Sequence, residues 1–163
     1  MKKAIVVFYS YSGNTEKLAV TLKEELSAEF NTDIYRLEAL DEAESFFGQA
    51  LRAFLKKKAQ IKEDITLDLA AYDLVCLGTP VWAFGPAPAL RTYLNKCRGI
   101  KNKQVLLFAS YGSGAGSTKC IRQMNDIVQK KGTTAVKSFL IQQADVTNRT
   151  KVTSAIKNAL NNE

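Results

Sequence analysis

Apolar residues along the chain fall into two kinds of cluster: short consecutive runs, and stripes at three- and four-residue spacing. Strand-like segments, several of them built on such runs, occupy residues 3–9, 33–38, 73–79, 104–110 and 133–141. Ala4-Ile5-Val6-Val7-Phe8-Tyr9, Leu74-Val75-Cys76-Leu77 and Val105-Leu106-Leu107-Phe108-Ala109 are apolar at every position. Strands of this kind are buried on both faces, as in a parallel sheet covered by helices on both sides. Stripes follow the runs: Leu18, Leu22, Leu26 and Phe30; Ile121, Met124, Ile127 and Val128; Val152, Ala155, Ile156, Ala159 and Leu160. Their spacing puts one apolar face of a helix toward the sheet. Five strands alternating with five helices predict a doubly wound α/β fold. The 163 residues form one expected domain, 1–163, long enough to bury roughly 70% of its unfolded surface. No internal repeat or linker interrupts the pattern. Pro80, Pro86 and Pro88 are confined to one loop and the start of the next helix. Residues 41–68 are long for a crossover; Phe46, Phe47, Ala50, Leu51, Phe54 and Leu55 predict an amphipathic helix that partly covers the functional edge.

In such a sheet, ligands bind outside the carboxyl ends of the strands, so the loops after the first, third and fourth strands are expected to meet. The first reads Ser10-Tyr11-Ser12-Gly13-Asn14-Thr15. Hydroxyls, backbone amides and the positive end of the following helix make a cradle for a phosphate. It lacks both the Gly-Lys-Ser/Thr ending of a nucleotide-hydrolase loop and the Gly-x-Gly-x-x-Gly of a dinucleotide fold, which favours a monophosphate. The second, Gly78-Thr79-Pro80-Val81-Trp82-Ala83-Phe84-Gly85-Pro86, brings an indole. The third, Ser110-Tyr111-Gly112-Ser113-Gly114-Ala115-Gly116-Ser117, adds a phenol ring and backbone amides that a ligand edge can approach. Together the loops suit a phosphorylated ligand with a planar heteroaromatic head.

Composition narrows the chemistry. Histidine is absent, which removes the imidazole base and the Ser-His-Asp triad. Cys76, Cys97 and Cys120 show no Cys-x-x-Cys spacing and an odd total, against a disulfide frame or a zinc site. They are expected to be structural, and no metal is expected. No long uncharged apolar run suits a bilayer, and strand pattern starts directly after Met1-Lys2-Lys3 without a signal region, so a cytoplasmic protein without membrane insertion is expected. The basic residues form no aromatic-interleaved motif, so nucleic acid is not an expected partner.

On these motifs, with Tyr-Asp-Leu-Val-x-Leu-Gly-Thr-Pro-Val-Trp at residues 72–82, the chain resembles the flavodoxin-fold FMN proteins over nearly its whole length. The resemblance implies a five-stranded parallel sheet of order 2-1-3-4-5 with FMN as a tightly but non-covalently held cofactor. It implies that Ser10, Ser12, Gly13, Asn14 and Thr15 hold the FMN phosphate, with Tyr11 beside them. Thr79, Pro80, Val81, Trp82 and Ala83 would line the isoalloxazine. Ser110, Tyr111, Gly112 and Gly114 would form its other side and its pyrimidine edge. No catalytic side chain is needed. The first functional expectation is a flavodoxin-type carrier shuttling electrons between redox partner proteins; the alternative is an FMN-dependent NAD(P)H:quinone, or other small-acceptor, oxidoreductase. The sequence settles neither the donor and acceptor nor the oligomeric state.

Charge sets this chain apart from the acidic flavodoxins. The formal net charge is +7, and between Asp73 and Asp126 no carboxylate side chain occurs, while Arg91, Lys96, Arg98, Lys101, Lys103, Lys119 and Arg122 do. Both ring-side loops lie within that interval. Reduction adds negative charge to the ring, and one cation about 10 Å away contributes roughly 1–2 kcal/mol before screening, some tens of millivolts. A less negative second reduction potential is therefore expected, with acidic partners or anionic small molecules steered to the flavin edge.

Overall fold

A computed structural model describes residues 1–39, 61 and 66–161 of the chain. In chain order it contains β1 (Lys2–Phe8), α1 (Asn14–Leu26), β2 (Phe30–Arg36), β3 (Leu74–Trp82), β4 (Gly85–Pro86), α2 (Pro88–Lys96), β5 (Gln104–Tyr111), α3 (Ser117–Gln129), β6 (Ala135–Gln142), a 3-10 turn at Gln143–Asp145, and α4 (Arg149–Asn161). The strands pair in the order β2-β1-β3-β5-β6, and every neighbouring pair on this path is parallel. Leaving out the two-residue β4, this is the expected 2-1-3-4-5 arrangement.

The consecutive apolar runs are explained by two cores, one on each face. Ile5, Val7 and Tyr9, with Val75, Leu77, Val105 and Leu107, face α2 and α3 through Leu90, Tyr93, Leu94, Cys120, Met124 and Val128. The intervening Ala4, Val6, Phe8, Leu74, Cys76, Leu106 and Phe108 face α1 and α4 through Leu18, Leu22, Leu26, Val152 and Ile156. Period-two alternation thus serves both layers, and each fully buried leucine contributes about 1.5–3 kcal/mol. Gly78 in β3 makes room for the Phe108 ring, since a Cβ there would stand 2.1 Å from Phe108 Cζ. Phe108 in turn stacks on Phe139 with ring centroids 5.4 Å apart.

Two boundaries depart from the sequence expectation. Strand β2 begins at Phe30, which had extended the apolar stripe of the preceding helix, and ends at Arg36 instead of residue 38. Pairing with β1 from Lys2↔Phe30 onward pulls Phe30 into the sheet edge. The second departure is larger: β3 continues through Thr79, Pro80, Val81 and Trp82 and turns back on β4, so part of the second loop is a short hairpin. The amphipathic helix expected within residues 41–68 falls largely outside the described residues. Among the described residues, no helix is long and apolar enough to cross a membrane.

Candidate functional site

The three loops meet in pairs at the carboxyl edge of β1, β3 and β5. The first and third are joined by a hydrogen bond between Thr15 Oγ1 and Ser110 Oγ (2.9 Å). The first and second touch where Tyr11 meets Trp82, ring centroids 6.0 Å apart at 75°. The second and third touch where Phe84 lies over Gly116; a Cβ there would stand 2.2 Å from Phe84 Cδ1.

The first loop is short, polar and closed by a glycine at the start of α1. Gly13 occupies the N-cap of α1 at φ 85°, a left-handed conformation that glycine adopts without a Cβ penalty, and no side chain caps the turn from this position. Nothing lies within 4 Å of where its Cβ would be. Ser10 Oγ accepts the Glu16 N–H at 3.3 Å. Asn14 Nδ2 donates to Ser12 Oγ at 3.2 Å. Tyr11 and Ser12 are exposed, Gly13 and Asn14 half-buried, Ser10 and Thr15 buried. Arg36, at the end of β2, was not singled out in the sequence: it donates to Ser10 O (2.9 Å) and pairs with Glu16 Oε2 (3.1 Å). A lone basic residue closing the strand beside the loop was its only sequence signal. The arginine both braces the loop and offsets the one carboxylate in the first turn of α1.

The second region differs from its sequence picture. Thr79 is fully buried, and its hydroxyl accepts the Ala87 N–H and donates to Pro80 O, both at 2.9 Å, tying the two ends of the hairpin together. Pro80 is buried and Val81 half-buried. Trp82 is 9% exposed and makes T-shaped contacts with Tyr9, ring centroids 5.5 Å apart, and with Tyr11. It is therefore committed to an aromatic cluster of the chain itself. Ala83 and Phe84 form the tip at φ 45° and 65°. These are the angles of a type I′ turn, in which a residue with a Cβ costs on the order of 1–2 kcal/mol. Phe84, at 49% exposed, is the large apolar residue of this rim.

The third loop is open on its ligand side. Ser110 is buried, Tyr111 ends β5 half-buried, and Gly112 and Gly114 are exposed. The nearest atoms to a Cβ at these glycines would be Gln143 Oε1 at 3.8 Å and Tyr111 Cε2 at 3.7 Å, so a flat edge has room to approach. Gln142 Nε2 donates to Gly112 O (3.1 Å) and Ser117 Oγ to Gly114 O (3.0 Å), fastening the loop from β6 and α3.

The residues present therefore fit a group with an anionic tail and a planar head. All three cysteines are free and buried. Burial pushes the Cys97 thiol up to about 11 and the Cys120 thiol to about 12, partly opposed by Lys131 and Arg91 respectively, and raises Cys76 further. Such thiols stay protonated and unreactive at neutral pH. Among the described residues, no group of histidine, cysteine or carboxylate side chains is arranged to hold a metal ion.

Comparison with known proteins bears on the family and the fold. The family described as NADPH-dependent FMN reductase matches the chain over residues 4–145. No curated protein sequence matches it. Among solved structures, the chain is similar to a flavoprotein of Lactobacillus acidophilus in complex with FMN, at 19% identity and a TM-score of 0.69, covering 92% of this chain and 99% of that one. It is similar to two-electron reduced flavodoxin of Megasphaera elsdenii, at 21% identity and TM-score 0.63, covering 96% and 99%. An NADH:FMN oxidoreductase in its apo form is also similar, at 18% identity and TM-score 0.65, covering 96% and 88%. At such identities these likenesses show the fold alone. The family match over residues 4–145 and the strand order together show that the chain belongs to the NADPH-dependent FMN reductase family and is an FMN-binding protein of the flavodoxin fold.

Proposed function

We propose that the protein is an FMN-dependent oxidoreductase that draws electrons from a nicotinamide nucleotide and passes them to a quinone or another small acceptor. FMN, when bound, supplies the electron and hydride chemistry; the chain binds, orients and shields it. Ser10, Ser12, Gly13, Asn14 and Thr15 take the phosphate, with Tyr11 beside them and Arg36 bracing the loop from behind. Val81, Ala83 and Phe84 offer the ring a shaped wall, with Thr79, Pro80 and Trp82 forming its interior. Ser110, Tyr111, Gly112 and Gly114 border the opposite edge. The family match supports this reductase reading over single-electron carriage.

One observation carries the reading. The NADPH-dependent FMN reductase family matches residues 4–145, while Trp82, 9% exposed, is engaged by the chain itself in T-shaped contacts with Tyr9 and Tyr11. The basic interval contributes selectively. Arg98 is spent on Asp68, and Lys103 on the carbonyls of Ala70 and Tyr72, away from the site. Arg91 on α2, with exposed Lys119 and Arg122 on α3, stands on the elements that border the hairpin and the glycine loop. Their field would favour anionic reactants or acidic partner surfaces at this edge, more weakly as salt rises. Steady oxidation of NADH or NADPH by the holoprotein with a quinone present tests the proposal. Turnover that requires both FMN and acceptor is the expected result; a holoprotein that reduces a partner protein yet never turns over on nucleotide and quinone is a carrier instead.

A further inference from the structure

The hairpin tip is held from outside. Trp82 pairs with Gly85, which leaves Ala83 and Phe84 as the entire turn. Both residues have positive φ, where an Asn-Gly or Gly-Gly pair is the usual occupant. Strain of this kind persists only where surrounding structure over-determines it, and it concentrates at binding sites. Here the surrounding structure is identifiable. Gln123 Nε2 donates to Phe84 O at 3.2 Å, and Gln123 Oε1 accepts Arg91 Nη2 at 3.1 Å. The Arg91 guanidinium is partly desolvated, which lowers its pKa. Both side chains lie directly over Gly85, where a Cβ would stand 2.7 Å from Arg91 Nη2 and 2.9 Å from Gln123 Oε1.

We infer that Gln123 is a positioning residue for the flavin ring: it holds the strained Ala83–Phe84 turn at a fixed distance from the glycine loop, with Arg91 as its own brace. Helix α3 grips the turn twice, through Gly116 at its N-cap under the Phe84 ring and through Gln123 two turns further along. Because Gly116 also closes the third loop, the walls on either side of the ring move as one unit. The inference rests on the reading that the hairpin lines the ring.

Gln123→Glu tests it, since a carboxylate keeps the partner for Arg91 and nearly the same size but has no N–H for Phe84 O. Apoprotein is titrated with FMN and, separately, with riboflavin, which lacks the phosphate. The dissociation constants for both are expected to rise about tenfold, as for loss of one oriented hydrogen bond, with apoprotein melting shifted by less than about 2 °C. Gly85→Ala, which wedges a methyl group under the Arg91–Gln123 pair, is expected to give the same joint loss and the same change in the visible band of bound flavin. Unchanged affinity for both ligands in Gln123→Glu, with the parent binding FMN normally, overturns the positioning role and leaves the flavin site standing. A loss confined to FMN places the effect at the phosphate and also overturns it, as does a lowered melting temperature with unaltered affinity. A parent protein that binds neither ligand overturns this inference together with the reading beneath it.

Discussion

The phosphate loop and the hairpin stand side by side on one sheet edge and are stabilised in opposite ways. From Ser10 to Thr15 the loop uses short polar residues, places its one left-handed residue at a glycine, and satisfies several groups within a few residues: Ser10 with Glu16, Ser12 with Asn14. From Trp82 to Gly85 the hairpin places Ala83 and Phe84 in a left-handed turn and relies on Gly116 and Gln123, both remote from the tip in sequence, with Arg91 bracing Gln123. The contrast lies in where the partners come from. The loop is bonded mostly among neighbouring residues, with Arg36 added from β2. The hairpin is positioned by packing between elements.

The strongest way to break this contrast is Gly116→Ala. It places a Cβ 2.2 Å from Phe84 Cδ1 at a φ of +79°, so the hairpin and the glycine loop must separate. A loss of roughly 2–4 kcal/mol in melting is expected, together with weakened FMN binding. A parent-like melting curve would mean that Phe84 does not pack on this glycine. Next comes Thr15→Ala; Thr15, like Arg36 behind Ser10, links this mostly locally bonded loop to a distant element. Its hydroxyl partners Ser110 across the site in a buried setting, so removal strands that partner and costs about 1–3 kcal/mol in denaturant melts, beyond any effect on FMN. Thr15→Ser should restore the stability.

Asn14→Ala sharpens the comparison from the other side. Asn14 is half-buried and bonded only locally in the loop to Ser12, so apoprotein melting should stay within about 2 °C while FMN affinity falls roughly tenfold. Riboflavin affinity should not change; equal losses for both ligands would move the phosphate elsewhere. The smallest effect concerns pH. Burial raises Cys97 from 9.0 to about 11 and Cys120 from 9.0 to about 12. The unfolded chain releases these protons first as pH rises. Their contribution to stability is therefore complete below pH 9 and is lost progressively between pH 9 and about 12. Replacing Cys120, which lies on α3 below the hairpin, by alanine should make the alkaline decline in melting temperature shallower; an unchanged slope would show that this thiol does not titrate with unfolding.

Much of the fold was legible because its signals are local. The runs in β1, β3 and β5 are apolar at consecutive positions since both faces are buried, and the stripes of α3 and α4 repeat at helical spacing. Edges were less legible. Phe30 fits a helical stripe as well as a strand, and only pairing with Lys2 decides between them. In the site, Ser10 to Thr15 could be read directly because a strand, a short polar loop and a helix follow one another. The second loop could not: Pro80, Gly85 and Pro86 look like loop residues, and Ala83-Phe84 carries none of the Asn-Gly chemistry that announces a tight hairpin. Arg36, Gln123 and Gln142 carry no such signal because each is an ordinary residue of its element until another element arrives beside it.

The amino-acid sequence by itself determined the alternation of strands and helices, the burial of the sheet on both faces and the short polar, glycine-capped turn after β1. Each follows from side-chain periodicity or from the conformational needs of adjacent residues. Tertiary structure alone decided that the end of β3 folds back as a strained hairpin, that Trp82 makes T-shaped contacts with Tyr9 and Tyr11, and that Thr15 reaches Ser110. Those outcomes depend on contacts between residues tens of positions apart, where a local penalty is accepted because packing against other elements outweighs it.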